Sequence, residues 1–86
     1  MRQEKIIKYP LATEKAVRLM EIENKLVFIV DKKAKKKEIK EVFEKEFKVK
    51  VIKVNTLFDT KGRKKAYISL SPETPAIDVA TQLGLM

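Results

Sequence analysis

The chain has no cysteine and no histidine. The first absence excludes disulfides and thiolate chemistry. The second leaves a zinc site or a histidine-based acid–base mechanism without its usual groups. Glycine is scarce, and no Gly-rich phosphate loop can be assembled from Gly62 and Gly84. No carboxylate pair and no nucleophile beside a base occurs, and Asp31 and Asp59 stand alone as turn residues. These absences point away from an enzyme, a metal site and a cofactor. No apolar run is long enough to span a bilayer, so no membrane insertion is expected. The opening Met1-Arg2-Gln3-Glu4-Lys5 lacks the apolar stretch of a signal peptide, and the expected compartment is the cytoplasm.

What is abundant is positive charge. Twenty Lys+Arg stand against 12 Asp+Glu, a net charge of +8. That balance suits a polyanion: RNA, DNA or an anionic membrane face. The 86 residues are enough for one compact domain, expected to span 1–86. With 44% hydrophobic residues the chain can build one core. Lysine dominates the cations and glutamate the anions, a composition that ion-pair networks favour at high temperature.

The apolar pattern divides the chain into seven elements. Lys5 to Tyr9 predicts a short strand ended by Pro10. Thr13-Glu14 predicts a helix start, with Thr13 capping free N–H groups and Glu14 at the positive end of the helix dipole. Ala16, Val17 and Met20 then share one face. Leu26 to Val30 is a continuous β-branched run, the mark of a central strand buried on both faces. Residues 35–47 predict a helix with Ile39, Val42, Phe43 and Phe47 inward, and with Lys37–Glu41, Glu41–Lys45 and Lys40–Glu44 pairs outside. Val49 to Phe58 predicts a strand whose alternation changes phase near Val51-Ile52, as a bulge would require. After a turn from Thr60 to Lys64, Lys65 to Leu70 alternates, with Ala66, Ile68 and Leu70 on one face. Thr74-Pro75 predicts the capped start of a last helix, stopped by Gly84. The order β-α-β-α-β-β-α implies an α+β fold. It is a small split β-α-β sandwich, ferredoxin-like, with the last strand slotted between two parallel ones in a mainly antiparallel four-stranded sheet. The crossover from Leu26 to Phe58 is expected to be right-handed.

Two segments are denser in cations than folding requires. The first is Lys32, Lys33, Lys35, Lys36 and Lys37, broken only by Ala34. A solvated linker is the plain alternative. Lysines at a helix N-terminus oppose the dipole, however, and only Glu38 offsets them. A bound phosphate would satisfy both the lysines and the free N–H groups. The second segment is Lys61, Arg63, Lys64 and Lys65 around Gly62. It reads either as a polar hairpin tip or as a basic finger into folded RNA, where Arg63 can grip phosphate at two points or stack on a base. Tyr9 and Tyr67 each offer a ring for stacking or for packing.

Several segments, in order, resemble large-subunit ribosomal proteins of the L23 family. They are Pro10-Leu11-Ala12-Thr13-Glu14-Lys15, Met20-Glu21, and Asn24-Lys25-Leu26-Val27-Phe28-Ile29-Val30-Asp31. Glu38-Ile39-Lys40, Val49-Lys50-Val51 and Val54-Asn55-Thr56 follow, then Arg63-Lys64-Lys65-Ala66-Tyr67-Ile68-Ser69-Leu70. The short hairpin loop and the helix ending at Leu83-Gly84 resemble the archaeal type. The resemblance implies a structural constituent of the large subunit that binds its ribosomal RNA at the rim of the peptide exit tunnel. It implies contact with a neighbouring small helical ribosomal protein. It also implies a docking site for the signal recognition particle or other exit-site factors, on the cytoplasmic ribosome. By the same resemblance Thr13 and Lys15 belong to an RNA-contacting N-terminal motif. Lys32 to Lys37 match the basic stretch after the first long strand, Asn55 and Thr56 a Val-Asn-Thr segment, and Lys61 to Lys65 the loop opening the final strand. Two other classes carry different expectations. A free-standing RNA-binding regulator would prefer short single strands. A protein-docking module would hold its partner at salt that strips RNA.

Overall fold

The computed structural model describes residues 6–84. Seven elements follow the expected order: β1 (Ile7–Pro10), α1 (Glu14–Glu23), β2 (Lys25–Val30), α2 (Lys36–Phe47), β3 (Val51–Phe58), β4 (Lys64–Leu70) and α3 (Ala76–Gln82). Lys5, the expected first residue of β1, lies outside the described residues, and Pro10 is the strand's last residue. The sheet runs β1-β2-β4-β3 with every neighbouring pair antiparallel. β4 therefore separates β2 from β3, which are parallel to each other. The fold is α+β and compatible with a ferredoxin-like split β-α-β arrangement.

Period-two alternation sorts the strands onto two faces. Leu26, Phe28 and Val30 face the core with Ala66, Ile68 and Leu70 of β4 and Val51 and Val54 of β3. α2 supplies Ile39 and Phe43, and α3 supplies Ala76, Val79 and Ala80. Phe28 meets Phe43 edge-on at 5.3 Å, and Phe47 lies 4.6 Å from Phe43. Such aromatic pairs add about 0.5–1.5 kcal/mol beyond area burial. β2 is buried from Leu26 to Val30, as a central strand should be. α1 packs against β2. Met20 joins the core, while Leu19 and Lys15 border the opposite face of the sheet.

The phase change in β3 is a register shift between Val51 and Lys53. Glu44 of α2 serves it, its Oε2 accepting from the Val51 N–H at 2.9 Å. This corrects the expected Lys40–Glu44 pair, because Glu44 has turned to the backbone. The Lys37–Glu41 and Glu41–Lys45 pairs do not close either. Among the described residues ion pairs within 4.0 Å occur at Lys25–Glu23 and Arg63–Asp59. Exposed pairs on a helix contribute too little to hold two long side chains in one geometry. α1 is capped as expected, Thr13 Oγ1 accepting from the Ala16 N–H at 3.2 Å.

α3 is capped differently from the expectation. Its N-cap is Pro75, with no side-chain cap of its own, and Thr74 does not supply one. The acceptor comes from Asn24, whose Oδ1 takes the Ala76 N–H at 2.6 Å. The same amide's Nδ2 donates to the carbonyls of Leu70, Ser71 and Thr74, each at 3.2 Å. Two hydrogens are thus shared among three acceptors. Asn24 also ends α1 in the left-handed region at φ 57°, where asparagine is among the few tolerated residues. One side chain therefore joins the α1–β2 corner to the β4–α3 corner.

Replacing Asn24 should be costly. Asn24→Ala is expected to lower unfolding free energy by about 2–4 kcal/mol, from several part-buried hydrogen bonds and the left-handed backbone. Asn24→Gly should recover only the backbone share. Urea denaturation measures both, and a glycine variant as stable as the parent would show that the side-chain bonds contribute nothing.

Candidate nucleic-acid interface

The antiparallel register of β2 with β4 sets Val30 opposite Lys64. The β2–α2 connection and the β3–β4 hairpin therefore leave the sheet at the same end. Lys64 ties them. It projects on the helix side of the sheet, and its Nζ donates to the Ala34 carbonyl at 2.6 Å and the Lys32 carbonyl at 3.5 Å. Its Nζ also lies 5.9 Å from the centre of the Phe58 ring, a cation–π contact. Segments 31–38 and 59–65 hold nine cations against Asp31, Glu38 and Asp59. Six of the chain's net eight positive charges thus converge on one end.

Lys32, Lys33, Lys35, Lys36 and Lys37 are all exposed. Lys35 is the N-cap of α2 and makes no side-chain cap bond. Glu38 Oε1 accepts from the Lys35 N–H at 2.9 Å, which occupies the one acid in the helix's first turn. The first-turn N–H groups and five lysines therefore face solvent with little to balance them.

The hairpin tip is ordered by a residue read from sequence only as a turn former. Asp59 Oδ1 accepts from the backbone N–H of Lys61 and of Arg63, both at 2.9 Å. Its Oδ2 accepts from Arg63 Nε at 2.8 Å. Gly62 sits at φ 81°, a conformation that side chains resist, and donates its N–H to the Asp59 carbonyl at 3.1 Å. Arg63 Nη1 reaches the Tyr9 hydroxyl at 3.5 Å. Burial pushes the Asp59 carboxyl up, but the bonds from Arg63 and Lys61 outweigh it and hold it below its ordinary 3.8. The bond to Tyr9, then the one to Asp59, hold the Arg63 proton more firmly still.

The other predicted residues lie along the sheet, and Lys65 of the hairpin segment turns toward them. On the face of the sheet away from α2, Asn55 pairs with Tyr67, and Tyr67 with Val27. In the next row Ile29 pairs with Lys65, and Lys65 with Leu57. A shallow groove of about 310 Å³ runs along α1 here, lined by Lys15, Leu19, Lys25, Asn55, Leu57 and Tyr67. Thr13 and Lys65 line its continuation. Thr13, Lys15, Asn55 and Lys65 are thus brought together, with Tyr67 among them. Thr56 is not. It pairs with Ala66, whose side chain is in the core, so its own points to the helix side. Lys25, which also lines the groove, and the organising role of Asp59 were not evident from the sequence. The signal for Asp59 was an acid four residues before an arginine across a glycine turn.

Among the described residues no group of three or more Asp or Glu side chains could hold a metal ion. No described helix is long and apolar enough to cross a membrane. A comparison with protein-family models matches residues 5–78 to the model described as Ribosomal protein L23.

The shared acceptor at Asp59 sets a pH dependence. A carboxyl held below its ordinary value stabilises the tip above pH 3.8, and that contribution is lost as pH falls through the lower folded value. The Lys61 and Arg63 backbone amide resonances are therefore expected to shift together in an NMR titration, with one midpoint below 3.8. Independent midpoints, or one at the ordinary value, would mean that Asp59 does not hold the loop.

Proposed function

The chain belongs to the ribosomal protein L23 family, structural constituents of the large ribosomal subunit, and on that premise we propose that its basic sheet end binds large-subunit ribosomal RNA. The observation that carries the reading is the convergence of the two lysine-rich segments through Lys64. Like charges gathered this closely repel one another, and a phosphate backbone is the counterion that turns the cost into binding energy. Lys32, Lys33, Lys35, Lys36, Lys37 and Lys61 supply phosphate neutralisation, with the free N–H groups of α2 beside them. The open face, with Lys15, Asn55, Tyr67 and Lys65, forms a second contact along α1. Tyr67 offers a ring and Asn55 an amide, the groups that recognise unstacked nucleotides. Thr13 borders this face while its oxygen caps α1. Thr56 contributes from the helix side or not at all.

The residues 1–86 act in this reading as a single RNA-binding domain of the cytoplasmic ribosome, at the rim of the exit tunnel. The turn from Asp59 to Arg63 is short, which supports the archaeal type and argues against a loop reaching deep into the tunnel. A docking role for the signal recognition particle or other exit-site factors is supported by α1. Its Ile22 is 73% exposed, and Leu19 lies beside it in a shallow surface flanked by Glu14, Arg18 and Glu23. A neighbouring small helical ribosomal protein is a further partner of this reading.

Binding of a large-subunit ribosomal RNA transcript, measured across a salt series, tests the proposal. Exchanging Lys32, Lys33 and Lys61 for glutamine should weaken binding and flatten its logarithmic salt dependence by about 0.7–0.9 per lost contact. Exchanging Lys45 and Lys48, at the far end of α2, should leave the slope alone. Equal slopes for the two sets would remove the basic end from the RNA. Preference for short single strands would favour a regulator, and partner binding that survives RNA-stripping salt a docking module.

A further inference from the structure

Arg63 differs from the lysines around it because its charge is already matched. Asp59, whose side chain is 10% exposed, accepts from Nε at 2.8 Å. A guanidinium neutralised by an adjoining carboxylate adds little to long-range attraction for phosphate. What the pairing supplies instead is geometry. Nε is fixed by Asp59, and Nη1 is held against the Tyr9 hydroxyl at 3.5 Å. The same carboxylate fixes the Arg63 backbone through its N–H. Among the described residues Nη2 has no partner. Nε–H and one Nη1–H are thus engaged, which leaves the second Nη1 hydrogen and both Nη2 hydrogens to donate to a ligand. Beside the guanidinium Tyr9 is 44% exposed on the sheet face opposite the helices. An oriented guanidinium next to an exposed aromatic ring suits a base better than a phosphate, because it combines paired donors with a stacking surface.

We propose that Arg63, aimed by Asp59 and flanked by Tyr9, reads the O6 and N7 acceptors of an unpaired guanine in the bound RNA. Arginine satisfies both acceptors at once, and lysine does not reproduce that planar fork. In an A-form helix this edge is buried in a deep, narrow groove, so the guanine belongs to a loop or bulge. Asp59 is a positioning residue: it touches no RNA, and its effect passes through Arg63. The assignment rests on the ribosomal-RNA reading above and adds base recognition to an otherwise shape- and charge-based surface.

The test compares two large-subunit ribosomal RNA transcripts, one made with guanosine and one with 7-deazaguanosine, which lacks N7. The parent protein is expected to bind the second about 5- to 100-fold more weakly. Arg63→Lys keeps the charge and loses the fork. It should bind both transcripts alike with the parent's salt slope. Asp59→Asn raises the net positive charge, so a phosphate-contacting arginine would bind more tightly in that variant. The proposal expects a loss of discrimination instead. Circular dichroism of both variants confirms the fold before comparison. Arg63→Lys discriminating like the parent, or Asp59→Asn keeping full discrimination, overturns the proposal. Salt-dependent binding of both transcripts without N7 discrimination overturns it while leaving the ribosomal-RNA reading intact. A parent protein that binds neither transcript overturns both.

Discussion

The insertion of β4 between β2 and β3 is the constraint on which the remaining structure depends. Its register puts Ala66, Ile68 and Leu70 under the helices and Lys65, Tyr67 and Ser69 on the open face. A slip of one residue would exchange the two sets, burying a lysine and a tyrosine and exposing the core. The same register sets Val30 opposite Lys64 and thereby delivers both basic segments to one end of the sheet. Stability and charge placement are therefore specified by one set of strand pairings. Asn24 closes the far end, linking α1, β4 and α3 through backbone carbonyls and one N–H.

Cations at the basic end divide by what they are already bonded to. Lys32, Lys33, Lys35, Lys36 and Lys37 stand in solvent and offer charge. Lys64 is committed to the Ala34 and Lys32 carbonyls and holds the two segments together. Arg63 is neutralised by Asp59 and offers direction rather than charge. In the proposed RNA complex, affinity that falls with salt belongs to the first group, and selectivity among bases to the last.

Most of the fold was legible because period-two and helical spacing of apolar residues carry direct physical meaning. The buried run Leu26–Val30, the alternation in β4 and the phase change at Val51 each correspond to an observed feature. The N-cap of α3 was not legible. It depends on Asn24, more than fifty residues earlier, and local rules assigned it to Thr74. The pairing of Glu44 with the bulge was hidden for the same reason. Of the site, the lysine clusters stood out by density alone, but their meeting required the strand register. Thr56 shows the limit of taking adjacent residues as a unit, since strand neighbours point to opposite faces.

In the proposed arrangement the basic sheet end and the open face lie against ribosomal RNA while the far end of α2 does not. Amine-reactive labelling of lysines, read by mass spectrometry on the free protein and on intact large subunits, tests it most directly. Lys15, Lys32, Lys33, Lys61 and Lys65 should be protected in the subunit, with Lys45 and Lys48 still reactive. Protection of Lys45 and Lys48 with Lys32, Lys33 and Lys61 left reactive would contradict that arrangement.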